Sequence, residues 1–140
     1  MTLVHATAID VAGLGCLIMG PSGAGKSDLA LRMIEAGALL VSDDQTRVAV
    51  VDGRVIASAA PNIKGLIEVR GLGIVRVASK HSTCLRLVVS LGDAVERMPD
   101  PAFWEFPGSE TQRLRLIHLK AFEASAPAKL RMALHSASNP

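Results

Sequence analysis

Tyrosine is absent from the 140 residues, and tryptophan and phenylalanine together supply only Phe103, Trp104, Phe106 and Phe122. Three of these crowd into one stretch and the basic residues are scattered, so no aromatic platform alternates with positive charge to stack successive bases. The net charge is only +2, too little for a strong field toward a polyanion, and nucleic acid is excluded as the expected partner. Cysteine is equally scarce: Cys16 and Cys84 lie in apolar runs without CxxC spacing or a nearby histidine. They are expected to be buried thiols of a reducing cytoplasm, not a disulfide or a metal knuckle. Long hydrophobic runs are missing too. Residues 11–19 form a short apolar stretch broken by glycines, so neither a signal peptide nor a membrane span is expected.

Apolar residues make up 49% of the chain and charged residues 20%, a globular balance with Leu, Val, Ile and Ala left to fill the interior. A chain of this length is expected to form one domain over residues 1–140, burying roughly two-thirds of its extended surface.

Residues 3–10 partly alternate, 12–15 offer a turn, and Cys16-Leu-Ile-Met19 is continuous apolar sequence, which predicts a hairpin with a fully buried second strand. Leu29, Ala30, Met33 and Ile34 have helical spacing over residues 26–36, with Gly37 placed to end the helix. Residues 38–41 form a short strand running into Ser42-Asp43-Asp44, the end of a strand where open α/β sheets bind ligands. Asp52-Gly53 between residues 47–51 and 54–58 predicts an exposed β-hairpin. Residues 66–77 set polar groups and two glycines in an apolar frame, and 84–91 form a further strand. Residues 98–108, with three prolines, are expected to be irregular. A last helix is expected over 125–136, with Ser125 near the cap and Pro127 in its first turn.

Between the first buried strand and the first helix stands Gly20-Pro21-Ser22-Gly23-Ala24-Gly25-Lys26-Ser27. This is the GxxxxGK[ST] pattern, in which a glycine-rich loop turns successive N–H groups toward phosphate at a helix N-terminus. Lys26 would reach the terminal phosphates, and the Ser27 hydroxyl would ligate Mg²⁺. The flanking strand and amphipathic helix supply the context this motif requires.

A phosphotransferase acting on a hydroxyl also needs an acidic group for the metal and a base near the acceptor. Asp43 and Asp44 are adjacent candidates. In an extended segment they point to opposite sides, so one could face the phosphates while the other orders the loop. A pair of solvated turn aspartates is the plainer alternative. Glu68 could complete the metal shell or pair with Arg70 on a sheet edge. His5 could be catalytic, or an ordinary packed or surface residue of its strand.

These residues carry a resemblance. His5 followed by Asp10-Val-Ala-Gly-Leu-Gly15, GPSGAGKS at 20–27, Val41-Ser-Asp-Asp44 and Ile67-Glu-Val-Arg-Gly-Leu-Gly-Ile74 occur in the order found in the catalytic domain of HPr kinase/phosphorylase, bacterial enzymes that phosphorylate a serine of the phosphocarrier protein HPr. The likeness covers about the first 77 residues and looks like the short form found in alphaproteobacteria. It implies an α/β P-loop kinase domain of the HPr kinase and PEP carboxykinase-like type, a mixed β-sheet with flanking helices.

By the same resemblance Asp44 is similar to the base that takes the serine proton. Lys26 and His5 look like catalytic partners, Ser27 and Glu68 like magnesium ligands, and Arg97 like a further catalytic arginine. ATP as donor, Mg²⁺ as cofactor, an HPr-like acceptor, a cytoplasmic location and a homo-oligomer such as a hexamer are implied with them. The N-terminal domain of longer members is not expected here, because His5 already belongs to the catalytic core. The loop tied to dephosphorylation has no recognisable counterpart near residues 118–129, which favours the kinase direction. Two other readings stay open: a small-metabolite P-loop kinase, though no arginine-rich lid stands out, and an ATP sensor that transfers nothing.

Overall fold

The computed structural model describes residues 1–109 and 112–138. Strand β1 (Thr2–Val4) precedes a hairpin of β2 (Ala6–Val11) and β3 (Leu14–Met19), then come α1 (Lys26–Glu35) and β4 (Leu39–Ser42). A second hairpin, β5 (Thr46–Val51) and β6 (Arg54–Ala59), is followed by a third, β7 (Leu66–Val69) and β8 (Gly73–Arg76). The chain continues through β9 (Ser82–Leu91), β10 (Ala102–Glu105), β11 (Arg113–Leu119) and α2 (Ala126–Ser138).

The main sheet runs β1-β5-β6-β9-β3-β2-β4, with β11 and then β10 attached beyond β9. Strand β9 is its axis, parallel to β3 and to β11 but antiparallel to β6. Its start pairs with β6 through residues 82–84, and residues 87–91 pair with β11. The sheet therefore branches along one strand and curls.

Two cores result. Ile9, Cys16, Ile18, Leu87 and Val89 meet Leu29, Met33, Leu130 and Leu134, so α1 and α2 cover one face. Ala8, Leu17, Val48, Val55, Leu85 and Val88 pack with Phe106 on the other face, which strands close without a helix. Each fully buried Leu or Ile contributes roughly 1.5–3 kcal/mol relative to exposure. The expected mixed sheet is present, with its two described helices on one side only.

The first hairpin follows its pattern, and the Cys16-Leu17-Ile18 stretch is wholly buried. Helix α1 ends as its sequence predicts: the Ala38 amide donates to the Met33 carbonyl and the Gly37 amide to that of Ile34, with Gly37 at φ 107°. This satisfies carbonyls that a helix end leaves open.

Cys16 is buried as expected, but Cys84 is only partly buried, and two expectations about the strands also fail. The β5–β6 hairpin is exposed only toward its tip, because β9 takes the free edge of β6 and buries Val55 and Ala57. Residues 98–108 are not irregular throughout: β10 pairs Phe103 with Arg115 and Trp104 with Leu114 across β11. Among the described residues no helix is long and apolar enough to cross a membrane.

Candidate phosphate-binding site

The parallel strands β3, β9 and β11 end level with one another. Met19 lies opposite Ser90, Leu91 opposite Leu119, and the Gly92 amide donates to the Leu119 carbonyl at 3.1 Å. Ligands of α/β sheets bind at such carboxyl ends. Here the chain leaves β3 at Gly20, turns through an Ala24 amide to Pro21 carbonyl bond of 3.0 Å, and enters α1. Gly23 and Gly25 take φ 83° and 102°, a region side chains disfavour. Gly25 has a second constraint: a Cβ there would stand 2.7 Å from Ala121 Cβ and 2.9 Å from Phe122 Cζ. No side chain caps α1, so its first amides face the loop.

Lys26 opens the helix with its side chain only 5% exposed. Its ammonium donates to the carbonyls of Gly20 at 2.8 Å and Pro21 at 3.3 Å, inside the curl of the loop, and stands 4.0 Å from Asp44 Oδ1.

The adjacent aspartates divide. Asp43 is buried: its Oδ1 accepts from the hydroxyls of Ser27 at 2.7 Å and Thr7 at 3.1 Å, and its Oδ2 from the Glu68 amide at 3.0 Å. One carboxylate thus joins β2, α1 and β7. Asp44 adopts φ 66°, a left-handed conformation that aspartate tolerates better than most residues, with its amide donating to Thr7 Oγ1 at 3.1 Å. Its carboxylate emerges into the cleft, 60% exposed, with Oδ1 2.8 Å from His5 Nε2.

A cleft of about 610 Å³ lies in front of the loop, lined by Ser22, Lys26, Ser27, Asp44, Glu68 and Phe122 among others. The β7–β8 hairpin forms one wall, anchored by fully buried Ile67 and by the Glu68 amide on Asp43. Glu68 and Arg70 both line the cleft, and among the ion pairs of the described residues none joins them. Both glycines of the hairpin turn, Gly71 and Gly73, take positive φ, and Leu72 at its tip is 77% exposed.

His5, the loop at 20–27, Asp44 and Glu68 are thus brought together around the cleft. Arg97 does not join them: it is exposed on the segment between β9 and β10 and does not line the cleft. Sequence reasoning overlooked Thr7, which only the strand pairing brings under Asp43, and Phe122, whose sole signal is its isolation from the other aromatics.

One buried charge lies away from the cleft. Asp10, 3% exposed, accepts from Thr83 Oγ1 at 2.7 Å, Lys80 Nζ at 2.9 Å and the Gly13 amide at 2.9 Å. Burial pushes its carboxyl up, but these three donors outweigh burial and hold it below the ordinary carboxylate value. Burial raises the Cys16 thiol far above its usual range, making it an inert core residue.

A family model described as HPr Serine kinase C-terminal domain matches residues 1–94. The chain belongs to this family. The match includes every convergent residue just named and stops short of Arg97. An HPr kinase/phosphorylase of Clostridium tetani is 45% identical over 80 residues, 57% of this chain and 26% of that protein. One of Lacticaseibacillus casei is 37% identical over 119 residues, 79% of this chain and 36% of its own. The chain thus spans about a quarter to a third of the curated relatives it matches. The solved structure of the Hpr(Ser) kinase/phosphatase from Coxiella burnetii superposes with a TM-score of 0.82 at 23% identity, covering 99% of this chain and 97% of that one. The shared fold is the mixed α/β architecture with a curled sheet.

Proposed function

We propose that this member of the HPr serine kinase C-terminal domain family transfers the γ-phosphoryl group of ATP to a serine hydroxyl of an HPr-like phosphocarrier protein, with residues 1–140 acting as one catalytic unit. The observation that carries the reading is the position of the Asp44 carboxylate, between His5 at 2.8 Å and Lys26 at 4.0 Å, in front of the loop at 20–27. A carboxylate in that place can accept a proton from an incoming hydroxyl while the cation beside it offsets charge on the phosphoryl oxygens.

The transfer is a balanced in-line exchange. The serine O–H proton passes to Asp44, the serine oxygen bonds to the γ-phosphorus, and the bond from that phosphorus to the bridging oxygen breaks as ADP leaves. His5 holds the Asp44 carboxylate in place. The exposed turn of the β7–β8 hairpin, with Leu72 and Ile74, offers the acceptor a wall to rest on. In the reverse direction the protonated Asp44 returns its proton to the serine oxygen.

The donor set fits a hard divalent cation. Ser27 Oγ and the Glu68 carboxylate are oxygen ligands, and Asp43 Oδ1 accepts the Ser27 hydroxyl and so orients it. Magnesium suits such a site because it keeps several waters and takes its other ligands from phosphates. When bound with the nucleotide it would neutralise charge on the phosphate tail.

The test is incubation of the chain with labelled ATP and a purified HPr-like protein. Label on a serine that disappears in Asp44→Asn, with the variant still binding ATP, supports the proposal. Label transferred only to small molecules, or ATP binding without transfer by the wild type, overturns it.

A further inference from the structure

We infer that Phe122 is the platform on which the donor's nucleobase stacks; the inference rests on the nucleotide reading of the loop at 20–27. With the phosphates held in that loop, the ribose and base must run outward along the cleft, where a planar, weakly polar ring needs an apolar surface. Phe122 is the one aromatic among the residues lining the cleft, and Leu31, one turn beyond Ser27 on α1, lies in the same lining.

Its exposure is imposed by its surroundings. Phe122 is 70% exposed, although isolated apolar rings of this size are usually covered. The backbone on both sides is fixed: the Arg32 guanidinium donates to the carbonyls of Ala121 and Glu123, and it is itself held by Asp28 at 2.9 Å. Lys129 binds the Glu123 carboxylate at 2.9 Å, and Ala121 is buried in the helical core. The segment is thus tied to both α1 and α2 while the ring between these anchors faces the cleft, its edge beside Gly25.

Topology supports the same assignment. The phosphate loop follows β3 and Phe122 follows β11, and the ends of these parallel strands flank that of β9. A nucleotide lying across these carboxyl ends would have its phosphates at one loop and its base near the other.

Binding of Mg-ATP and of inorganic triphosphate separates this role from a structural one, since triphosphate has no base. Loss of a base–aromatic stack is expected to weaken ATP binding by about 5- to 100-fold in Phe122→Ala, while triphosphate affinity stays within about twofold and reports that the loop is intact. Phe122→Trp should restore ATP affinity. In a Trp104→Phe background its fluorescence should be quenched by ATP and not by triphosphate. Equal losses for both ligands, or ATP binding indifferent to Phe122→Ala, would overturn the inference and leave the proposed serine transfer standing. A wild type that binds neither ligand would overturn both.

Discussion

Replacing Asp43 with asparagine tests whether one buried carboxylate organises the site. In the native chain it receives three hydrogen bonds, from Thr7, Ser27 and the Glu68 amide, and bonds to an ionised acceptor contribute roughly 1.5–3 kcal/mol each against 0.5–1.5 for neutral pairs. The best arrangement for the amide keeps its oxygen on the Glu68 N–H, because a backbone amide cannot turn to become an acceptor. The NH₂ group then faces the Thr7 and Ser27 hydroxyls, whose hydrogens lose their acceptor. Losing the ionic part of three bonds costs about 3 kcal/mol, and relief from burying a charge offsets part of that, leaving about 2 kcal/mol. With an unfolding entropy of about 0.3 kcal/mol/K for a chain of this length, Tm should fall by roughly 7 °C. Activity should fall further, by roughly 10–100-fold, because the Ser27 hydroxyl loses the group that aims it. Calorimetry and the labelled-ATP assay read the two effects separately. A variant melting within about 2 °C of wild type and transferring phosphate normally would refute the claim that Asp43 holds β2, α1 and β7 together.

Gly25→Ala combines a disfavoured φ of 102° with a Cβ 2.7 Å from Ala121; about 2–4 kcal/mol of destabilisation should appear in urea titration, together with loss of ATP binding. Asp10 has a carboxyl pKa lower in the folded chain than in the unfolded one, so its stabilisation is complete above the ordinary value near 3.9 and is lost as pH falls through the lower folded value. Asp10→Asn should therefore cost about 2–3 kcal/mol at neutral pH and flatten the acid limb of stability against pH, measured by denaturant midpoints between pH 2 and 7, all. Chelation of divalent cations should abolish serine labelling without lowering Tm in nucleotide-free protein, because the ligands proposed for the metal are few and shared with phosphate.

The features legible in advance were those encoded locally. The loop at 20–27 and its helix follow from glycine spacing and a 3.6-residue period, and Asp52-Gly53 forms its turn with φ 51° and 75°. What escaped reading depends on remote partners. Strand β11 alternates Arg113, Leu114, Arg115 and Leu116, yet a strand parallel to β9 but distant in sequence leaves no local mark of where it pairs. Prolines at 99, 101 and 107 concealed β10, which fits between the last two. The β5–β6 hairpin reads as exposed because its own residues cannot reveal that β9 will cover one edge. Arg97 was matched although its flanking residues are poorly similar to the family's, and the fold leaves it outside the cleft.

The two aspartates show how backbone geometry separates neighbouring identical side chains. Asp43, just past β4, still points into the layer between strand and helix, where two hydroxyls and an amide take three of its roughly four acceptor sites. A buried group so engaged is poorly placed to take a proton from a substrate, since protonation would weaken the three bonds through which it supports the fold. Asp44 follows at φ 66°, and this reversal carries its carboxylate out of the packed layer into the cleft, where its described side-chain partners are the cationic Lys26 and the His5 ring. One acceptor oxygen, Oδ2, is left free for a hydroxyl, which is what the proposed base requires. A residue unable to hold the left-handed conformation at position 44 would turn the chain elsewhere, so Asp44→Val should lose transfer even if the carboxylate were supplied in solution, whereas Asp44→Gly should accept partial rescue by formate. Rescue of both variants alike would show that the turn contributes nothing beyond the carboxylate it carries.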